Sequence, residues 1–378
     1  MSEIYFDNSS TTKVCREAAD KVMELMTENY GNPSSLHSMG FRAERELTTA
    51  RSTVAHQIGT RDEEIFFTSG GTESNNLALF GAAHARRKRG NRIVSTEIEH
   101  HSVLNTLQEL EREGFEVVLL KPDRTGNIPE EAIREAITPD TILVSMMCVN
   151  NEVGSILPIQ VVPQAIQAAG APALFHVDAV QAFGKLPLRP EKSKIDLMSM
   201  SAHKIHGPKG VGALYVRKGV HINPHSFGGG QESNIRPGTE ALELIAGFAE
   251  AVRQLPETEQ ELARMRKLNH YCRERLSELD GAIIHSTEQG LPYILSFAAG
   301  KVRSETLLHY LSEHEIYVSS GSACSKGKPS HVLAAMNLPR DVIDSTLRLS
   351  FSRYNTEEEV DRFVEVLKQA LSTLTKRA

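Results

Sequence analysis

A handful of short stretches hold residue types that do chemistry only when their neighbours tune them. In Ser201-Ala202-His203-Lys204-Ile205-His206-Gly207-Pro208-Lys209-Gly210, Lys204 ends an apolar run and precedes a Gly/Pro-rich turn. A lysine amine held at a strand end and withdrawn from water can form a Schiff base with a carbonyl compound; the plain alternative is a solvated loop lysine. His176-Val177-Asp178-Ala179-Val180-Gln181 puts Asp178 at the carboxyl end of another apolar run, where an acid can pair with a protonated ring nitrogen or cap a helix. Ser69-Gly70-Gly71-Thr72-Glu73-Ser74-Asn75-Asn76 lies between a predicted strand and a predicted helix, a setting for anion binding by backbone N–H groups. An ordinary capped turn has the same composition. The stretch is neither a Walker A loop nor a dinucleotide fingerprint.

Cys324 sits in Ser319-Ser320-Gly321-Ser322-Ala323-Cys324-Ser325-Lys326-Gly327-Lys328-Pro329-Ser330, which is rich in Gly and Ser and has no apolar period. It reads as a mobile surface loop. The thiolate is the reactive form of cysteine, and Lys326 and Lys328 favour it electrostatically. Cys15, Cys148 and Cys272 are instead expected to be buried and inert. With four cysteines and no CxxC, the chain shows no disulfide framework and no zinc or iron–sulfur site of its own.

The elements that must position these residues follow from periodicity. Helical stripes are predicted over 43–58, 74–88, 102–113 and 160–169, and strands over 64–68, 92–95, 116–120, 141–146, 174–177, 196–201 and 212–216. Their alternation predicts an α/β fold with a mostly parallel sheet covered on both faces. Beyond Gly238 comes a long charged helix over 257–279. A smaller α+β pattern follows, with strands over 293–297, 316–319 and 347–351 and a helix over 305–313. A last helix opens with a Thr356–Glu359 capping box and carries an apolar stripe of Val360, Phe363, Val364, Leu367 and Leu371. The expected division is an N-terminal segment 1–15, a large α/β unit 16–255 and a small α+β unit 256–378, with the site in the cleft between them.

Composition narrows the function classes. The 378 residues carry 42 Lys+Arg against 48 Asp+Glu, with 40% hydrophobic and 24% charged residues, as in an ordinary globular protein. A net charge of −6 gives no general attraction to nucleic acid or anionic membrane. No apolar run reaches spanning length and the N-terminus has no signal-peptide pattern, so a cytoplasmic location is expected.

An anion cradle, then an acid, then Ser-x-His-Lys is the order used by pyridoxal phosphate (PLP) enzymes of the aminotransferase-like fold, type I. The sequence resembles one family of them, the NifS/IscS-type cysteine desulfurases, over nearly its whole length. The matching stretches begin with Tyr5-Phe6-Asp7-Asn8-Ser9-Ser10-Thr11-Thr12 and Gly31-Asn32-Pro33-Ser34-Ser35. They continue through 68–76, Glu99-His100-His101-Ser102-Val103-Leu104, Val149-Asn150-Asn151-Glu152-Val153-Gly154, 176–181, 201–210 and Arg236-Pro237-Gly238-Thr239. Ser319-Ser320-Gly321-Ser322-Ala323-Cys324 and Leu347-Arg348-Leu349-Ser350-Phe351 complete them. One departure is the short loop, with only Ser325-Lys326-Gly327-Lys328 between Cys324 and Pro329.

The resemblance implies roles. Lys204 holds PLP through a Schiff base and later moves protons; Asp178 pairs with the pyridinium nitrogen; Gln181 bonds the phenolic oxygen; His100 stacks on the ring and assists proton transfer. Gly71, Thr72, Ser201 and His203 bind the phosphate, and Thr239 reaches the cofactor of the other subunit of a homodimer. Asn151 and Arg348 hold the substrate carboxylate, Arg348 through a bidentate fork. Cys324 takes sulfur from L-cysteine as a persulfide, leaving alanine, and passes it to a protein acceptor, an iron–sulfur scaffold or a tRNA-thiolating enzyme. No metal is implied. Selenocysteine lyase and plain aminotransferase are the alternative activities on the same fold, the second disfavoured by the cysteine segment.

Overall fold

The computed structural model describes residues 3–320 and 329–374. Its strands are β1 (Ile4–Tyr5), β2 (Ile65–Thr68), β3 (Arg92–Thr96), β4 (Glu116–Leu120), β5 (Thr141–Met147), β6 (Leu174–Asp178), β7 (Leu197–Ser201), β8 (Gly212–Val216), β9 (Ile283–Ile284), β10 (Ile294–Ala298), β11 (Ile316–Tyr317) and β12 (Thr346–Ser350). The helices are α1 (Arg16–Thr27), α2 (Ser38–Ile58), α3 (Gly71–Arg86), α4 (His101–Arg112), α5 (Glu130–Ala136), α6 (Val162–Ala169), α7 (Leu242–Arg253), α8 (Thr258–Ser277), α9 (Ser304–Glu313), α10 (His331–Ala335), α11 (Arg340–Asp344) and α12 (Glu357–Leu374).

A seven-stranded sheet in the order β2-β8-β7-β6-β5-β3-β4 forms the centre. Strands β3 to β7 pair in parallel, as the alternating pattern predicts, and β5, β6 and β7 are buried along their whole length because helices cover both faces. Strand β8 runs antiparallel to both β7 and β2. The cause is the link: 202–211 is too short for a helical crossover, so the chain must return alongside β7. That return puts the Lys204 turn at the carboxyl end of β7, level with the end of β6.

Close packing also fixes the approach of the Gly-rich turn. A Cβ on Gly212 would lie 2.5 Å from Met200 O and 2.7 Å from Gly70 Cα, so only glycine lets the turn before α3 lie against β7 and β8. Gly70, at φ +148, is the residue before α3. The helix therefore starts at Gly71, three residues before the sequence-predicted start, and brings the Gly71 and Thr72 N–H groups into its first turn. Likewise α2 starts at Ser38, capped by His37 Nδ1, which accepts from Gly40 N at 3.2 Å. Helices α1 and α7 were not predicted, although each has an apolar side, with Ala18 and Leu25 buried on α1 and Ile245, Phe248 and Val252 on α7.

A three-stranded antiparallel sheet, β12-β10-β9, and the parallel pair β1–β11 make up the remainder. The predicted capping box opens α12: Thr356 N donates to Glu359 Oε2 at 3.1 Å and Glu359 N to Thr356 Oγ1 at 3.4 Å. The N-terminal segment stitches the two sheets together. Phe6 N donates to Tyr317 O, Ser350 N donates to Phe6 O, and Thr12 N donates to His203 O at 2.9 Å. The Phe6 ring, fully buried, meets Phe351 edge-on at 5.4 Å and Phe363 at 6.0 Å. Cys15, Cys148 and Cys272 are all buried, as expected. No helix among the described residues is long and apolar enough to cross a membrane.

Behind the sheet end, Glu99 is fully buried. Its Oε1 accepts from Thr96 Oγ1 at 2.8 Å and from Met147 N at 2.9 Å, while Oε2 has no partner. Burial pushes the carboxyl up from 4.5 to about 8.

Two predictions follow from this packing. Phe6→Ala leaves an aromatic-sized hole at the seam of the two sheets and is expected to cost about 3–5 kcal/mol in a urea unfolding series. For Glu99, the fold favours the neutral acid. Its stabilising contribution is full below the unfolded-state value and is lost as pH rises through about 8. The isosteric Glu99→Gln removes that loss. Between pH 5 and 8.5 the wild-type unfolding free energy should therefore fall relative to that of the variant, by up to a few kcal/mol. Parallel pH profiles for the two proteins would refute the assignment.

Candidate active site

The carboxyl ends of β6 and β7, the N-termini of α3 and α4, and the N-terminal segment enclose a cavity of about 460 Å³. Ligands favour such strand ends in open α/β sheets. Gly71, Thr72, His100, Asn151, Asp178, Gln181, Ser201, His203, Lys204 and Arg348 all line it, so ten sequence-predicted site residues from distant segments converge. A larger groove of about 940 Å³ along α2 and 252–258 contains none of them. Convergent chemistry, and not size, identifies the site.

Lys204 closes the short helical turn Ala202–Lys204, and its Nζ donates to Ser9 O at 2.5 Å and Ser10 O at 2.7 Å. Gln181 bonds the same Ser9 carbonyl through Nε2 at 3.0 Å. Behind it lies Lys185, whose ammonium sits 3.4 Å from Gln181 Oε1 and 5.4 Å over the Tyr293 ring. Burial, reinforced by Lys204 and Arg348, pushes the Lys185 amine down to about 7. His203 is pushed down to about 3, by burial first and then by Lys204, Lys209 and Lys185, so its ring is neutral.

The anion cradle is built from backbone and one hydroxyl. The first N–H groups of α3 have no partner within the helix and carry its positive dipole end. A Cβ on Gly71 would meet Val180 Cγ2 at 2.7 Å, which explains the glycine. Ser201 Oγ, at the end of β7, is buried and without a partner. Orphaned donors around a cationic floor fit a phosphate.

Asp178, only 5% exposed, accepts from Val180 N at 2.9 Å through Oδ1 and from Asn75 Nδ2 at 2.7 Å through Oδ2. The Asn75 amide also donates to Ser102 Oγ at 2.9 Å, and that hydroxyl lies 2.8 Å from His100 Nδ1. Sequence reasoning assigned no role to Asn75 or Ser102. The available signal was their place near the N-termini of α3 and α4, close to Thr72 and His100.

Arg348 lines the cavity, yet its fork is already engaged. Its Nη2 donates to Asp7 Oδ1 at 2.7 Å and Ser10 Oγ at 2.8 Å, and its Nη1 to Asn151 O at 2.8 Å. The expected bidentate grip on a substrate carboxylate therefore requires Asp7 or Ser10 to give way. Asn151 meets Arg348 through its own carbonyl, and its side chain lies at the cavity wall. Thr239 is exposed and does not line the cavity of its own chain.

Cys324 lies outside the described residues. The backbone on either side is tied to the site. Ser319 N donates to Arg348 O at 3.1 Å, and Arg348 N to Ser319 O at 2.6 Å. On the far side, Ser330 Oγ donates to Glu152 Oε2 and accepts from Leu333 N at 3.1 Å, capping α10. Burial pushes Glu152 up to about 7.

Residues 4–363 match the model of the aminotransferase class-V family. The chain is 42% identical over 376 residues to a cysteine desulfurase IscS of Methanosarcina thermophila, covering 98% of this chain and 92% of that protein. It is 41% identical over 380 residues to a cysteine desulfurase IscS of Serratia proteamaculans, covering 98% and 93%. Among solved structures, a NifS-like protein superposes with a TM-score of 0.93 at 41% identity, covering 98% of this chain and all of that one. SspA in complex with cysteine gives 0.83 at 32% identity, covering 94% and all of the other chain. With its lysine turn, acid and cradle gathered at one sheet end, the chain belongs to the aminotransferase class-V family and, within it, to the NifS/IscS-type cysteine desulfurases.

Proposed function

We propose that the cavity holds PLP and that the chain uses it to take sulfur from L-cysteine, giving L-alanine and a persulfide on Cys324. The observation that carries this reading is the convergence of Lys204, Asp178 and the Gly71–Ser201 cradle on one cavity. The residues fit the cofactor: an orphaned Ser201 hydroxyl and the first N–H groups of α3 for a phosphate, a buried acid for a ring N–H, and an amine for an aldehyde. When bound, PLP draws electrons from the substrate's α-carbon.

Each residue then has a task set by its surroundings. Lys204 Nζ would hold the cofactor aldehyde and would be the base beside the substrate's α-carbon. Asp178, kept in place by Asn75 and Val180 N–H, retains the proton on the ring nitrogen. Neutral His203 donates to the phosphate with Ser201 and Thr72. Arg348 exchanges Ser10 or Asp7 for the substrate carboxylate, beside Asn151. The Cys324 thiolate attacks the sulfur of bound cysteine: an S–S bond forms, the C–S bond breaks, and the electron pair stays on carbon, which takes up a proton to become alanine. The persulfide passes to a protein acceptor for iron–sulfur cluster assembly or tRNA thiolation.

We further read the enzyme as a cytoplasmic homodimer in which Thr239 serves the opposite site, with 16–255 as the cofactor unit and 256–378 as the unit carrying Cys324.

Two variants test the reading. Lys204→Ala should lose the yellow absorbance of the covalently held cofactor and lower alanine release by roughly 10³-fold or more. Cys324→Ser should keep the absorbance and lose alanine release from L-cysteine. Peptide mapping after one turnover without acceptor should find the added sulfur on Cys324. Sulfur on Cys15, Cys148 or Cys272, or a fully active Cys324→Ser enzyme, refutes the mechanism.

A further inference from the structure

His100 is the N-cap of α4, and its Nδ1 accepts the Ser102 N–H at 3.1 Å. The Ser102 hydroxyl lies 2.8 Å from the same nitrogen. Asn75 decides which way that hydroxyl points. Its amide nitrogen has two hydrogens, one directed at Asp178 Oδ2 at 2.7 Å and one at Ser102 Oγ at 2.9 Å. A carboxylate only accepts, so the amide must turn its NH₂ end toward Asp178. The buried Asn75 Oδ1, left without a partner, is the cost of that orientation. Ser102 Oγ, receiving from Asn75, gives its own hydrogen to His100 Nδ1.

Two donors therefore converge on Nδ1, which leaves no place for a proton there. The single hydrogen of the neutral ring resides on Nε2. Among the described residues nothing bonds Nε2, and the ring lines the cavity. The positive end of α4 lies against Nδ1 and disfavours the imidazolium further. Other charges face the ring from β6 (Asp178), from the turn after β7 (Lys204) and from α4 (His101), with the His331 ring of α10 tilted against His101 at 4.8 Å. Only Asp178 favours a proton; burial, Lys204 and His101 oppose it, and burial is the largest effect.

We propose that Asn75 and Ser102 are positioning residues that hold His100 as a neutral Nε2–H imidazole, making the ring an oriented hydrogen-bond donor at the cavity. This rests on the proposed function only for what the donor faces; the tautomer belongs to the chain itself.

The test is ¹⁵N NMR of histidine-labelled holoenzyme between pH 6 and 8.5, with the His100 signals identified by their loss in His100→Gln. The expected result is a bare Nδ1 and a protonated Nε2 throughout. A hydrogen on Nδ1, or a doubly protonated ring at pH 7, overturns the proposal. In Ser102→Ala the backbone donor remains and the hydroxyl is lost, so the ring should become more basic by about one pH unit, roughly tenfold in protonated fraction. Asn75→Ala should move it the same way and Ser102→Thr should restore it. Unchanged His100 shifts in both alanine variants overturn the relay. A wild-type enzyme that releases no alanine from L-cysteine would refute the proposed function while leaving the tautomer measurement decisive for this inference.

Discussion

Two backbone carbonyls near the N-terminus hold the site together. Ser9 O and Ser10 O receive the Lys204 ammonium, and Ser9 O also receives the Gln181 amide, while Ser10 Oγ takes Arg348 Nη2. Ammonium and guanidinium lie a few residues of backbone apart, each with most of its water replaced by fixed dipoles. Such an arrangement needs acceptors for its charged donors, because an unpaired buried charge costs several kcal/mol, and of the Arg348 guanidinium nitrogens only Nε goes without one among the described residues. Segment 7–12 supplies those acceptors. Its own position depends on backbone pairing with Tyr317, Ser350 and His203, so both sheets must be in place before the lysine is.

The same economy governs the acidic side. Asp178 is buried and faces two donors, the Asn75 amide and the Val180 N–H. Glu99 also receives two, from Thr96 and Met147 but both on one oxygen, and Glu152 receives one from Ser330; burial raises both toward neutrality. Asp178, with a donor on each oxygen, is at the cavity, where a ring nitrogen would meet it. The others hold structure: Glu99 bridges β3 to the end of β5, and Glu152 anchors the backbone at Ser330.

A cofactor that does the electronic work leaves the protein to supply orientation, charge and dryness. The chain meets this with rigid elements: strand ends for Asp178 and Ser201, helix N-termini for Gly71 and His100, and a turn forced by the short link between β7 and β8. Sites built on such elements are held more tightly than sites built on loops.

Much of this was legible in the sequence. Continuous apolar runs separated by helical stripes require a covered, mostly parallel sheet, and a lysine or acid at the end of such a run must emerge at the sheet's edge. Local chemistry therefore determined the fold class, the strand ends and the identities of Lys204, Asp178 and the Gly-rich turn. Helices α1 and α7 each have an apolar side but were missed. Only the tertiary structure decided which side chains meet. Asn75 and Asp178 stand 103 positions apart, and Arg348 and Asp7 341 apart. Periodicity fixes which face a residue occupies, but partners across such distances are chosen by strand order and by the need to satisfy every buried donor at once. For that reason the engaged fork of Arg348 and the relay to His100 could be found only in the folded chain.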